Sequence, residues 1–355
     1  MPPRTRRASR QTKGSPLRSK RPAASGRAPL NILFTCVGRR IELLEAFARA
    51  ARSLRIDLTL HATDINWTAP AMHRVDRPHI VPAIADDAYI PTLLTLARKH
   101  DIDLIIPTID SDLLPLARAA AGFAEIGTRV VISSESVVRT CQDKLASFEL
   151  LARTGIDTPD TWRLSEALRR TDHRFPYYLK PREGSAGKGN YVVRTIDELR
   201  VLGARVPDAI VQEFVPGDEH TLDIYTGFDG RPRCVVPRKR LEVRRGEVSK
   251  GIVSKDPRVI AVGNRVVEVL AECRGVVTVQ CMLTPDGRVR VIEINPRFGG
   301  GAPLAIAAGA DLPRWLMAEH LGRKVTIDPR GYRDGLAMLR YDESVFVEDL
   351  SRELG

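Results

Sequence analysis

The sequence predicts an α/β protein in which a doubly wound, parallel-sheet domain precedes a unit of mixed α and β elements. Short apolar strands alternate with amphipathic helices over residues 31–135, which is the pattern of a parallel sheet. Beyond residue 160, strands are joined by glycine-rich or Asp-Gly turns, as in antiparallel hairpins. The length of 355 residues accommodates two or three domains. We expect an N-terminal domain over 31–135, a second domain over 136–325 and a peripheral strand and helix over 326–355.

The first 30 residues form a basic tail that we expect to be disordered. They contain nine Lys or Arg residues and no acid, so removing their charge from the net +11 leaves +2 for the rest. A segment rich in Pro, Ser and Arg buries too little apolar surface to fold. Nucleic-acid binding through this tail is an alternative that we disfavour, because the basicity does not belong to the fold itself.

Composition also indicates the compartment. Hydrophobic residues make up 43% of the chain and charged residues 28%, as in a globular protein. No apolar run approaches the roughly 20 residues that span a bilayer, so we predict no membrane association. The five cysteines show no CxxC spacing, which indicates a reducing, cytoplasmic location.

The N-terminal domain is predicted to bind a ligand at one edge of its sheet. Its strands are predicted at 31–37, 58–63, 104–109 and 130–133, with helices at 41–52 and 89–100. Ligands bind at the carboxyl ends of strands in open α/β sheets. Five charged residues occupy such positions and together suggest a site for a small zwitterion: Arg39, Arg40, Asp64, Asp110 and Asp112. Solvated loop charge is the alternative for each of them. Gly38 lacks a G-x-G-x-x-G context, so we reject dinucleotide binding.

A glycine-rich loop in the second domain is predicted to hold phosphate. It follows a helix predicted over 137–154, in which Lys144 lies off the apolar face. It also follows a strand predicted over 175–181, which has Lys180 at its end, just before a proline. Backbone N–H groups of such a loop can cradle phosphate oxygens, and Lys180 adds a fixed positive charge. A plain hairpin loop is the alternative. The loop residues are Gly184, Ser185, Ala186, Gly187 and Gly189.

A strand-turn-strand segment over 209–224 is predicted to hold a base and a ribose. Glu213 ends the first strand, Phe214 and Val215 follow, and Glu219 begins the second strand. Such a segment can present backbone groups to a flat base and a carboxylate to ribose hydroxyls, although exposed edge-strand acids would look the same. Residues 238–256 form a basic wall that includes Lys250, lacks aromatic residues for base stacking and faces phosphates and a carboxylate.

Residues 275–301 carry the most informative pattern, two strands joined by Asp286-Gly287. A two-residue turn there would place Gln280 opposite Glu293 and bring Asn295 onto the same face, although Pro285 beside the turn could force a longer loop and shift this register. An oxygen-only cluster without His or Cys suits a hard cation such as Mg²⁺. Arg297 and a run of three glycines follow. A plain amphipathic hairpin is the alternative.

The order of these motifs resembles the ATP-grasp superfamily, most closely the branch of the carbamoyl-phosphate-synthetase large subunit. The resemblance rests on Asp143-Lys144, Gly155 to Pro159, Tyr178 to Pro181, the glycine loop, Gln212 to Val215 with Glu219, and Val291 to Arg297, and covers about residues 31–320. It implies two α+β subdomains that clamp ATP, with a lid over about 160–215. The chain has one such unit rather than two, so it looks like a single-unit carboxylate–amine ligase.

The resemblance implies a role for each candidate residue. Lys144, Lys180 and the loop from Gly184 to Gly189 would contact the ATP phosphates, Glu213 with Val215 would hold adenine, and Glu219 would hold ribose. Gln280, Glu293 and Asn295 would bind Mg²⁺, with Mn²⁺ as a substitute, while Arg297 and Lys250 would face the reacting phosphate.

The implied reaction phosphorylates a small carboxylate and couples the acyl phosphate to an amine, releasing ADP and phosphate. Family habit suggests a homodimer. The alternatives are an ATP-grasp kinase or carboxylase, a carbamoyl-phosphate-synthetase-like enzyme, and an ATP-binding regulator without chemistry.

Overall fold

The chain folds around three β-sheets, as described by a computed structural model. The structure describes residues 28–184, 187–244, 246–348 and 350. Residues 1–27, Ser185 and Ala186 lie outside the described residues, so the predicted disorder of the tail and the roles of these two loop residues stay predictions. Among the described residues, no helix is long and apolar enough to cross a membrane.

The N-terminal sheet is parallel and five-stranded, in the order β3-β2-β1-β4-β5. This confirms the predicted doubly wound domain. The strands are β1 (Ala28–Thr35), β2 (Ile56–Asp64), β3 (Arg77–Ile80), β4 (Leu104–Pro107) and β5 (Arg129–Val130). The tail boundary at residue 30 was wrong, because Ala28 already pairs with Ile56. Strand β3 was not predicted, since it is short and half exposed.

Helices cover both faces of this sheet. They are α1 (Ile41–Ser53), α2 (Tyr89–Lys99) and α3 (Asp110–Glu125). Successive residues of β1 enter two different cores, since side chains alternate across a strand. Leu33 packs with Leu93 of α2, whereas Phe34 contacts Phe47 of α1 edge to face at 5.0 Å. Burial on both faces explains why the strands are apolar along their whole length.

Residues 135–153 form two helices rather than the single predicted one, namely α4 (Glu135–Gln142) and α5 (Lys144–Arg153). Asp143 separates them because its carboxylate accepts hydrogen bonds from the backbone N–H groups of Leu145 (3.0 Å) and Ala146 (3.1 Å). This is an N-cap, which begins a new helix. The break places Lys144 at the first position of α5 instead of on the side of a longer helix.

The lid is an antiparallel sheet in the order β6-β9-β7-β8 with two short helices. Its own core includes Tyr177, Leu179 and Val211. Its elements are β6 (Thr161–Arg163), α6 (Leu164–Ala167), β7 (Tyr177–Pro181), β8 (Tyr191–Val193), α7 (Ile196–Gly203) and β9 (Ala209–Glu213).

The third sheet has the order β14-β13-β10-β11-β12-β15 and is antiparallel throughout. Helix α8 packs on one face, and the other face lines the cavity described below. The described residues after 321 include a strand, but residues 349 and 351–355 lie outside the described residues, so the helix predicted for the C-terminal segment stays a prediction. The elements are β10 (Asp218–Thr226), β11 (Pro232–Arg244), β12 (Glu247–Val253), α8 (Pro257–Leu270), β13 (Gly275–Leu283), β14 (Val289–Asn295), α9 (Ala302–Ala307), α10 (Leu312–His320) and β15 (Ala337–Leu339).

The β13–β14 hairpin has the predicted pairing of Gln280 with Glu293, although its turn and its register differ from the prediction. The turn is not a two-residue turn, because the backbone N–H of Thr284 bonds to Arg288 O at 2.9 Å and leaves three residues in the loop. Gly287 takes a φ of +85°, which suits glycine in such loops. The register then shifts between Gln280 and the next residue, and this irregularity offsets the longer loop.

Candidate functional site

A cavity of about 570 Å³ lies where the N-terminal domain, the lid and the six-stranded sheet meet. The volume falls within the range of small-molecule sites. The N-terminal domain contributes Arg40 and Asp110, and the lid contributes Lys180 and Gln212. The cavity is therefore a site between domains, where ligands are often bound.

The cavity face of the six-stranded sheet carries a row of four polar side chains in register. Glu293 pairs with Gln280, Gln280 with Thr221, and Thr221 with Arg238 across adjacent strands. Directly opposite residues share one face of a sheet. All four line the cavity, so backbone pairing alone fixes their relative positions.

A second row lies two residues further along the strands. Asn295 pairs with Thr278, and Thr278 pairs with Asp223. The Thr278 hydroxyl donates to the backbone oxygen of Arg297 at 2.8 Å, which anchors the segment after β14. These contacts place Arg297 beside the same face.

Gln280, Glu293 and Asn295 present oxygen atoms into the cavity without protein partners. Among the described residues, none of these side chains makes a hydrogen bond or an ion pair. Asn295 is 8% exposed and makes no side-chain hydrogen bond with the described residues. Carboxylate and amide oxygens suit Mg²⁺, so this donor set fits the ion that the sequence predicted. The part of the chain that the structure describes has no group of three or more His, Cys, Asp or Glu that could hold a metal.

Lys180 is a buried cation in the lid wall of the cavity. It is 5% exposed, and its ammonium donates to Gln212 Oε1 at 2.9 Å. Gln212 is held in this orientation because its Nε2 donates to Thr161 Oγ1 at 2.9 Å. Burial lowers the pKa of Lys180 to about 8, against the opposing effect of the Glu293 carboxylate. An anionic ligand would supply a negatively charged partner for this ammonium.

The glycine loop is tied to Lys144. The ammonium donates to the backbone oxygen of Gly184 at 2.9 Å. Gly184, Gly187 and Gly189 have φ values of +138°, +68° and +74°, which few other residues adopt. Lys144, Gly184 and Gly187 line the cavity. The structure thus brings together the described members of the predicted phosphate-binding group.

The two acids predicted to hold adenine and ribose both contact arginines. Glu213 pairs with Arg290 at 2.8 Å, and this guanidinium lowers the pKa of the Glu213 carboxyl. Glu219 forms an ion pair with Arg240. Glu213 and Glu219 line the cavity, as do Phe214 and Val215 between them. Neither arginine partner was predicted, because nothing in the local sequence links them to these acids.

Arg297 is held by an acid from the other domain. Its Nε donates to Asp110 Oδ1 at 2.7 Å, and its Nη2 bonds to the second carboxylate oxygen. Its Nη1 donates to Phe298 O at 3.0 Å. A bidentate pair fixes both the position and the plane of the guanidinium. Asp110 therefore lies in the cavity wall as the partner of Arg297.

Arg40 also lines the cavity, whereas three residues predicted beside it do not. Asp64 accepts hydrogen bonds from the backbone N–H groups of Gly38 (2.9 Å) and Ile65 (2.8 Å). Asp112 is fully buried and accepts from the hydroxyls of Thr35 and Tyr89, and burial raises its pKa to about 6. Arg39 is exposed and lies 4.0 Å from Glu247. These three residues do not line the cavity, so their role in substrate binding stays a prediction.

Lys250 lies outside the cavity lining. Its ammonium pairs with Glu242 at 2.6 Å, and its side chain is about half exposed. Its predicted position facing the reacting phosphate is not formed in this arrangement.

The triple-glycine run after Arg297 proves to be a packing requirement. A Cβ on Gly299 would lie 3.0 Å from Thr278 Oγ1, and one on Gly300 would lie 2.8 Å from Arg40 Nη1. One on Gly301 would overlap Arg238 Nη1. The missing side chains let polar groups from both domains approach one backbone segment.

Comparison with known proteins identifies the parts of the chain. The family described as "PylC-like, N-terminal domain" matches residues 32–131, and the family described as "ATP-grasp domain" matches residues 141–301. Carbamoyl-phosphate synthase of Methanobrevibacter smithii is 24% identical over 173 residues, 47% of this chain and 46% of that protein. D-alanine–D-alanine ligase of Thermotoga sp. (strain RQ2) is 26% identical over 187 residues, 48% of this chain and 61% of that protein. The chain thus spans about half to two thirds of the length of these relatives.

Solved structures share the fold. The biotin carboxylase domain of Hydrogenobacter thermophilus 2-oxoglutarate carboxylase, solved with MgADP, ADP and bicarbonate, has a TM-score of 0.68 at 18% identity. The match covers 86% of this chain and 73% of that one. These findings confirm the predicted architecture of a parallel-sheet domain followed by an ATP-grasp fold. The chain thus combines a PylC-like N-terminal domain over residues 32–131 with an ATP-grasp domain over residues 141–301.

Proposed function

We propose that this protein is an ATP- and Mg²⁺-dependent ligase that phosphorylates a small carboxylate and joins it to an amine. The observation that carries the proposal is the unpartnered oxygen set of Gln280, Glu293 and Asn295 in one cavity with the buried ammonium of Lys180. Both features call for a ligand that has oxygen-rich anionic groups and an associated hard cation. ATP with Mg²⁺ supplies both.

The first step transfers the γ-phosphoryl group to the substrate. A carboxylate oxygen attacks the γ-phosphorus, the bond from that phosphorus to the bridging oxygen of ADP breaks, and an acyl phosphate forms. Phosphoryl transfer depends mainly on positioning and on neutralising charge. Lys144 and Lys180 would neutralise the phosphates, and Arg297, oriented by Asp110, would face the transferred group. Mg²⁺ on Gln280, Glu293 and Asn295 would draw negative charge from the phosphate oxygens.

The second step forms the carbon–nitrogen bond. The amine attacks the acyl carbon, the carbon–oxygen bond to phosphate breaks, and inorganic phosphate leaves with the former carboxylate oxygen. The amine loses one proton to the medium. The glycine loop tied to Lys144 would cover the phosphates and keep water from the acyl phosphate.

Cytoplasmic location and homodimeric assembly are parts of the same proposal. The location is supported by the cysteines, since all five have free thiols and four of them are buried. Buried, unpaired thiols are typical of proteins that stay in a reducing compartment.

The direct test is substrate-dependent turnover. The full chain is incubated with ATP, Mg²⁺ and pairs drawn from a panel of amino acids and small carboxylates, and ADP, phosphate and product masses are measured. We expect ADP and phosphate in equal amounts, with a product mass equal to acid plus amine minus water.

Other product patterns decide against the proposal. A phosphorylated product without phosphate release would identify a kinase, and bicarbonate-dependent mass gain would identify a carboxylase. Saturable ATP binding without turnover across the panel would indicate a regulator.

A further inference from the structure

Arg238 has a hydrogen-bond donor that the protein leaves unused. Its Nε and Nη2 bond to the Asp223 carboxylate at 2.5 and 3.2 Å, and both residues are at most 1% exposed. Its Nη1 is buried, and no described residue accepts a hydrogen bond from it. Leaving a buried, charged N–H group without an acceptor costs free energy of folding. Because Arg238 lines the cavity, a ligand is the natural acceptor.

Arg40 provides a second open donor from the other domain. Its Nη2 donates to Thr108 O at 3.3 Å, while its Nη1 makes no hydrogen bond with any described residue and lies 3.8 Å from Glu247 Oε1. Burial lowers the pKa of Arg40, and the neighbouring guanidiniums of Arg297 and Arg340 lower it further, against the opposing effect of the Glu247 and Asp110 carboxylates. An anion beside Arg40 would relieve this repulsion.

The two open donors flank the same short segment. The position of a Cβ on Gly300 is 2.8 Å from Arg40 Nη1, and the corresponding position on Gly301 is next to Arg238 Nη1. The two nitrogens therefore pack against consecutive glycines, one nitrogen from each domain. Arg238 is also two strands from the metal-ligand candidate Gln280, about 10 Å between Cα atoms.

Arg297, the arginine singled out by the sequence, makes three side-chain hydrogen bonds within the described residues, more than Arg40 or Arg238. All three of its nitrogens have acceptors within the protein, two on Asp110 and one on Phe298. The lysines Lys144 and Lys180 lie on the lid side, where the nucleotide phosphates are expected. Free donors for a second anion are thus provided by Arg40 and Arg238.

We propose that Arg40 and Arg238 form a carboxylate subsite that bridges the two domains and holds the acid substrate beside the metal-binding face. The inference rests on the proposed ligase function, which requires a carboxylate substrate in the same cavity as the nucleotide. A carboxylate has two coplanar oxygens, so it can accept one hydrogen bond from each guanidinium. An amine or a neutral amide would leave one or both donors unused.

The test measures anion binding separately from turnover. Acetate, succinate, glutamate and inorganic phosphate are each titrated into the MgADP-loaded full chain by calorimetry. The subsite variant is Arg40→Gln, in which a neutral amide replaces a guanidinium. Because Arg238→Gln alone would leave Asp223 buried and unpaired, the second variant is the double substitution Asp223→Asn with Arg238→Gln. The matched control is Arg49→Gln, an exposed arginine of α1.

We expect at least one carboxylate to bind saturably to the wild type and to the control. Its affinity should fall at least tenfold in Arg40→Gln and in the double variant, while MgADP affinity changes less than twofold. Unchanged carboxylate affinity in both variants would overturn the subsite, as would failure of every carboxylate to bind. Phosphate binding that is lost in the variants, with no carboxylate binding, would also overturn it, because the donors would then serve the transferred phosphoryl group. Arginine-dependent carboxylate binding without ATP turnover would support the subsite and contradict the ligase function instead.

Discussion

Replacing Glu293 with Gln should reduce Mg²⁺-dependent turnover at least about 100-fold while leaving the fold intact. Glu293 carries the sole carboxylate among the three side-chain ligand candidates of the described chain. Gln280 and Asn295 offer neutral oxygens that attract a divalent cation weakly. Removing the charge of Glu293 should therefore weaken the metal site more than any change to its neighbours. Steady-state phosphate release at rising Mg²⁺ concentration measures the effect.

The structure provides a reason to expect a folded variant. Glu293 makes no ion pair or hydrogen bond within the described residues, so the substitution leaves no partner without its bond. Gln has nearly the same volume and keeps one oxygen. Glu268→Gln on α8 is the matched control, since that acid is exposed and its ion pair within the described residues is with Arg265 at 3.7 Å. Full activity of the Glu293 variant would remove the metal assignment.

Lys180 should make nucleotide binding dependent on pH. Burial lowers its pKa to about 8 in the ligand-free protein. Below pH 8 the lysine is charged and ready for the phosphates, whereas above pH 8 it must first take up a proton. We therefore expect the affinity for MgATP to fall by up to about tenfold for each pH unit above 8. Calorimetric titration of a non-hydrolysable ATP analogue between pH 6.5 and 9.5 measures this slope.

Two variants separate charge from shape. Lys180→Met keeps the length of the side chain but removes the ammonium, so it should bind the analogue at least about 100-fold more weakly at pH 7. Lys180→Arg stays charged throughout this range and should bind with a flat pH profile, whatever its affinity. A flat wild-type profile, or a methionine variant with unchanged affinity, would contradict the role of Lys180 in holding phosphate.

The register of the β13–β14 hairpin could be predicted only in part from the local sequence. Asp286-Gly287 predicted a turn, and the alternation of side chains along β13 and β14 predicted which of them share a face. Pro285 indicated that the loop could be longer, but nothing in the sequence indicated that a shift at Gln280 would compensate for the extra residue. Bulges depend on how a strand must bend against its neighbours, which only the assembled sheet decides.

The acids of the N-terminal domain show where local reasoning fails. Asp110 and Asp112 were treated as one group after a strand, but both lie in the first turn of α3. Residues two apart on a helix point about 200° from each other, so one acid faces the cavity and the other the core. The partner of Asp110 is Arg297, 187 residues away, and no local pattern connects them.

The transfer of an oxygen atom from the carboxylate substrate to phosphate tests most directly whether the reaction passes through an acyl phosphate. A carboxylate substrate labelled with ¹⁸O in both oxygens is converted with ATP, Mg²⁺ and the amine, and the released phosphate is analysed by mass spectrometry. We expect one ¹⁸O atom in each phosphate, because the attacking carboxylate oxygen leaves with phosphorus in the second step. Unlabelled phosphate alongside a coupled product would show that the carboxylate was never phosphorylated, and would contradict the proposed mechanism.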